Sequence, residues 1–181
     1  MGNRWLFAAV GLLAMIAGAV LWVAHRSESH VAAPRLAPAA LFATTLRDTG
    51  GKPQRLGQYA GKVLVLNFWA TWCPPCRAEM PAFSRMQERW ATRGVQFLGL
   101  TSDDPARVER FSRDLPVSYP LLLGGPEVDD LAMALGNRDR LLPFTVVVGG
   151  DGHVLTQNVG TYSEVDLASV LSRAVAQIRP N

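Results

Sequence analysis

NFWATWCPPCRAEMP, residues 67–81, holds the only two cysteines of a 181-residue chain, Cys73 and Cys76, with two residues between them. The stretch grows out of KVLVLNFWA at 62–70, a continuous β-prone run of the kind expected for a strand covered on both faces. Beyond the cysteines, Met80, Phe83, Met86 and Trp90 recur at helical spacing, with Arg77, Arg85 and Arg89 between them. That pattern predicts a helix from Pro75 to Trp90. The cysteines therefore stand where a buried strand hands over to a helix, the place where ligand chemistry collects in parallel sheets. Unpaired amide N–H groups and the positive end of the helix dipole favour an anion there, so the Cys73 thiol is expected below the free value of about 8.5. Pro74 and Pro75 bring pre-set backbone angles to a turn that needs no intrahelical N–H. Cys76, one turn further in, is expected to be less exposed. Position thus separates two roles: Cys73 attacks a disulfide and Cys76 resolves the mixed disulfide.

Other uses of the pair fare worse. A zinc site needs two more ligands, and of the three histidines His25 and His30 fall in a polar stretch near the N-terminus, leaving His153. A structural staple gains little from so short a loop. A disulfide scaffold needs more cysteines at wider spacing.

Working outward, Val95–Thr101 (VQFLGLT) is a second buried strand, and the resulting βαβ unit predicts parallel pairing with a right-handed crossover. Asp103 or Asp104 caps a helix to about Asp114, with Pro105 in its first turn. Tyr119–Leu123 is a short apolar stretch, Pro126–Leu135 a helix, and Phe144–Val148 a third strong strand. Asp151-Gly152 turns the chain into His153–Asn158, and Glu164–Ile178 closes as a helix. Upstream, Phe42–Arg47 reads as a short strand, Gly50-Gly51 as a turn, and Pro53–Leu56 as a second extended segment. No internal repeat is present.

At the N-terminus, residues 5–24 (WLFAAVGLLAMIAGAVLWVA) carry no charge, and at about 1.5 Å per residue they are long enough to cross a bilayer. Trp5 and Trp22 sit near the ends, where interfacial aromatics are favoured. An uncleaved anchor with residues 1–4 in the cytoplasm is expected, although Ala17-Gly18-Ala19 leaves a cleaved signal peptide as the alternative. Residues 25–38 read as a tether, and residues 39–181 as the folded domain. The net charge of +3 comes from basic residues scattered among acids, with no Lys/Arg block interleaved with aromatics, so no nucleic-acid partner is expected. No cofactor and no metal is expected either.

With its long motif, the segment at 67–81 resembles the thioredoxin superfamily, in particular its membrane-tethered bacterial branch of TlpA/ResA/CcmG-like proteins. The order of elements extends the resemblance over about residues 35–181. It implies an α/β thioredoxin fold: a central mixed β-sheet flanked by helices, with an N-terminal β extension, a helical insertion over 102–142 and one preceding transmembrane helix. It implies Cys73 and Cys76 as the redox disulfide and a substrate-facing surface at Trp72, Pro74, Pro75 and Pro143. Pro143 matches a cis-proline beside which substrate would pair in an extended contact. Pro81 matches a proline that kinks the active-site helix. Thioredoxin itself carries a buried Asp where this chain has Asn67, and an amide cannot shuttle a proton. Glu79 matches an acidic position of the tethered branch. It is read either as a buried proton acceptor for Cys76 or as a solvent-facing helix residue.

The resemblance also implies a setting: a single-pass protein of the bacterial inner membrane with its catalytic domain in the periplasm. There it would act as a thiol–disulfide oxidoreductase, as a reductase of protein disulfides, notably in cytochrome c maturation. Its partners would be client proteins bearing cysteine pairs and a membrane thiol electron donor. The alternatives are a disulfide oxidase, a copper-handling thioredoxin-like binding protein in which His153 would have to serve, and a thiol peroxidase, for which Arg77 is a poor match.

Overall fold

The structure, a computed structural model, describes Met15 and residues 34–178. Apart from Met15, the span expected at 5–24 lies outside the described residues, as does most of the tether. Among the described residues no helix is long and apolar enough to cross a membrane.

The domain is a seven-stranded mixed sheet between two helical layers. Its strands are β1 (Thr45–Asp48), β2 (Pro53–Arg55), β3 (Val63–Phe68), β4 (Val95–Thr101), β5 (Leu121–Leu123), β6 (Phe144–Val148) and β7 (Val154–Val159), in the order β2-β1-β5-β4-β3-β6-β7. The run at 62–70 becomes β3, the central strand, buried at every position. It pairs in parallel with β4, as the βαβ pattern predicts, and antiparallel with β6. Alternation along β3 sends Val63 and Val65 to one core and Leu64, Leu66 and Phe68 to the other.

The first core is covered by α2 (Pro74–Trp90), α3 (Pro105–Asp114) and α5 (Glu164–Ile178), through Met80, Phe83 and Met86, Val108 and Phe111, and Leu167 and Leu171. The second is covered by α1 (Pro38–Ala43) and α4 (Pro126–Ala134), through Leu41, Val128 and Leu131. Helix starts follow the expected chemistry. Asp104 Oδ1 accepts the amides of Ala106 and Arg107 ahead of α3, and Ser163 Oγ accepts that of Asp166 in the first turn of α5.

Three expectations are corrected. The strand expected from Phe42 starts only at Thr45, because Pro38 opens a short helix, PAALFA, that takes in Phe42. The tether ends sooner than residue 38: the Arg35 amide donates to Ala134 O at 2.8 Å, and Leu36 packs on the second core. Residues 102–142 are not helical throughout. Between α3 and α4 they supply β5, which extends the sheet parallel to β4 and carries the antiparallel β1–β2 hairpin on its other edge.

Candidate active site

Cys73 and Cys76 are disulfide-bonded, with Cα atoms 5.3 Å apart. Cys73 is the N-cap residue of α2, and its Sγ accepts the Cys76 amide at 3.3 Å. Pro74 and Pro75 occupy the first two helical positions, so no N–H is left unpaired there. Both cysteines are buried, Cys73 at 3% exposure and Cys76 at 0%, in the order expected for an attacking and a resolving residue. Trp72 beside them is 65% exposed. α2 runs on through Pro81, which forgoes one helical hydrogen bond on the solvent side.

The loop ahead of the pair is held from below. Asp103 Oδ2, just beyond the end of β4, accepts the Thr71 amide at 2.6 Å. Trp69 lies against Phe111 of α3, ring centroids 4.9 Å apart. Its indole has room because β4 carries a glycine opposite: a Cβ on Gly99 would come within 3.1 Å of Trp69 Nε1 and 2.6 Å of Leu121 Cδ2.

Pro143 enters β6 through a cis bond from Leu142. Phe144 pairs with Phe68 and Thr145 with Asn67, which brings the start of β6 alongside the end of β3, next to the cysteine loop. Gly160, at φ 87°, donates its amide to Pro143 O at 2.8 Å, fastening the β7–α5 loop to the same corner.

Glu79 decides between its two readings. It lies on the buried face of α2, three residues beyond Cys76, and is 5% exposed. Oε1 accepts Asn67 Nδ2 at 2.9 Å, and Oε2 accepts the Tyr162 amide at 3.2 Å. Loss of hydration pushes the carboxyl up to about 7, with the Tyr162 and Asn67 hydrogen bonds pulling the other way. Burial also raises the Tyr119 hydroxyl, with a further contribution from the Glu79 charge. Asn67 Nδ2 is shared with Thr145 Oγ1 at 3.1 Å, so one amide links the active-site helix to β6.

Sequence reading singles out Asn67 only as a departure and gives no role to Thr145 or Tyr162. The register of β3, with Asn67 on the Val63/Val65 face, is the available signal for Asn67. The Tyr162 amide has none. His153 sits on the β6–β7 turn, at the end of β6 away from Phe144, so the structure does not bring it to the cysteines. Among the described residues no cluster of three His, Cys, Asp or Glu could hold a metal ion.

A dithiol capping a helix, over a carboxyl near neutrality and beside a cis-proline, is equipped to exchange disulfides. The comparisons agree. Residues 32–172 match the Redoxin family. The thiol-disulfide oxidoreductase ResA of Geobacillus thermodenitrificans is 31% identical over 123 residues, 67% of this chain and 68% of that protein. ResA of Bacillus cereus is 28% identical over 178 residues, 94% of this chain and 96% of its own. In structure, a thiol:disulfide interchange protein of the thioredoxin family from Chlorobium tepidum superposes with a TM-score of 0.65 at 29% identity, covering 80% of this chain and 98% of that one. The chain therefore belongs to the Redoxin family, as a ResA/CcmG-like thiol–disulfide oxidoreductase of the thioredoxin superfamily.

Proposed function

We propose that this enzyme is a protein-disulfide reductase, anchored by residues 5–24 in a bacterial inner membrane and working in the periplasm. The observation that carries the mechanism is Cys73 Sγ at the cap of α2, taking the Cys76 amide, with Glu79 buried one turn beyond. In the reduced enzyme that amide and the helix end favour a Cys73 thiolate. The thiolate attacks one sulfur of a client disulfide, and the other client sulfur leaves as a thiolate and takes a proton from solvent. Cys76 then gives its proton to the Glu79 carboxylate and attacks Cys73 Sγ. The client's second thiolate leaves, and the Cys73–Cys76 disulfide forms. A dithiol donor in the membrane restores the reduced state by the reverse exchange. Trp72, Pro74, Pro75 and the backbone beside Pro143 form the surface on which the client lies, the last through an extended main-chain contact.

Reduction rather than oxidation is supported by the relatedness to ResA-type proteins. Cytochrome c precursors, which carry cysteine pairs, are the clients this reading favours. The test is the reduction potential of the Cys73–Cys76 couple in the full-length chain, equilibrated against glutathione or dithiothreitol. A value near about −270 mV supports a reductase, and one near about −120 mV makes the protein an oxidant.

A further inference from the structure

Between α2 and α3 lies an open depression of about 520 Å³, separate from the buried carboxyl and the cis-proline corner. Three guanidinium groups line it, Arg77 from α2 and Arg107 and Arg110 from α3, against one carboxylate, Asp114. All three arginines are exposed. On the same helices Arg113 pairs with Glu109 at 2.7 Å and Arg85 pairs with Glu164. Arg77, Arg107 and Arg110 make no ion pair among the described residues. Arg107 and Arg110, three residues apart on one helix, are neighbours of like charge and unfavourable unless an anion joins them. Arg77 is held in place over the Phe111 ring, its Cζ 5.7 Å from the centroid, and the same ring supports Trp69 below the cysteine loop.

Location decides what fits. Arg77 stands four residues past Cys73, one helical turn away, and donates its amide to the Cys73 carbonyl at 3.2 Å. The depression therefore opens on the helix whose first turn carries the attacking thiol, with Arg77 one turn along from Cys73. A polypeptide whose cysteine is engaged by Cys73 must lay its neighbouring residues close by, at about 3.3 Å per extended residue. Guanidinium groups pair with carboxylates in forked geometry, and several together speed the encounter with an acidic partner. We infer that the Arg77–Arg107–Arg110 depression is a docking surface for an acidic segment of the client polypeptide, flanking the cysteine that Cys73 attacks. The inference rests on the disulfide-reductase reading and adds to it the charge of the client.

Two peptides with the same internal disulfide, one flanked by four Glu and the other by four Gln, test it with the reduced full-length protein. At low salt the Glu peptide is expected to be reduced about tenfold faster, the range electrostatic steering provides. The advantage should fall to about one at high salt and in R107E/R110E, with R107Q/R110Q as the milder pair. Both variants should reduce uncharged 2-hydroxyethyl disulfide as the parent does. No preference in the parent, or a preference that survives both variants, overturns the inference. So does arginine-dependent binding to phosphatidylglycerol vesicles with no charge preference among peptides. A labelled Glu peptide with serine for cysteine is read by anisotropy against the oxidised protein, without turnover. Binding without any disulfide exchange would sink the reductase and keep the surface, and exchange without charge preference would do the reverse.

Discussion

Replacing Glu79 with glutamine should remove a specific pH dependence of stability. In the unfolded chain this carboxyl titrates near its ordinary value of 4.5, and in the fold near 7. Between those values the folded state holds a proton that the unfolded state has released, so stability is greatest below about pH 4.5 and falls as pH rises through 7. A gap of about 2.5 units, at about 1.4 kcal/mol each, amounts to about 3 kcal/mol lost by pH 8. A glutamine side chain mimics the protonated form at every pH. It keeps an acceptor for one of the two donors now at Oε1 and Oε2, and the imperfect match to the other costs about 1 kcal/mol. Urea unfolding of the oxidised protein at pH 5 and pH 8 measures this. E79Q should be slightly less stable than the parent at pH 5, and equal or more stable at pH 8. Contributions common to both proteins cancel in the difference. If the two stability curves run parallel, with a difference changing by under about 1 kcal/mol, the buried-carboxyl argument is wrong.

The remaining expectations concern neighbouring residues. Cys76→Ser should accumulate a mixed disulfide between Cys73 and a client peptide, seen as the summed mass, while Cys73→Ser should form none and lose turnover entirely. Asn67→Asp sets a second carboxylate 2.9 Å from Glu79 in place of a donor, so the two charges compete for one proton. The alkaline shift that follows should appear in the pH profile of the resolving step, measured in single turnover. Gly99→Ala drives a methyl against Leu121 and Trp69 and should cost about 1–3 kcal/mol in urea unfolding, with activity at low temperature retained if the loop relaxes.

What could be read ahead of the structure was what local pattern carries. The unbroken apolar run of β3 and the spacing from Met80 to Trp90 reflect burial by neighbours close in sequence. The roles given to Cys73 and Pro74 follow from the chemistry of a helix end. Glu79 was undecided for a physical reason. It sits beside Met80 on the edge of the apolar stripe, and whether that edge is wet depends on the 160–163 loop, more than eighty residues on. β5 was hidden because three leucines show no period. Only the edge of β4 on one side and of β1 on the other make them a strand. Phe42 read as strand because aromatic residues favour strands, and Pro38 overrides that preference by starting a helix.

The Asn67 side chain presents its NH₂ to the carboxylate and leaves Oδ1 without a protein donor. A carboxamide is a two-headed group, and half a turn about its last bond exchanges donor for acceptor. Once Glu79 has taken a proton, its new O–H can meet Oδ1, and the Thr145 hydroxyl, able to give or to receive, accommodates either pose. An aspartate at this position would change charge with the pH of the surroundings, whereas the amide stays neutral and turns. The pocket beneath the cysteines can thus store and release one proton without ever holding two negative charges in the same buried place.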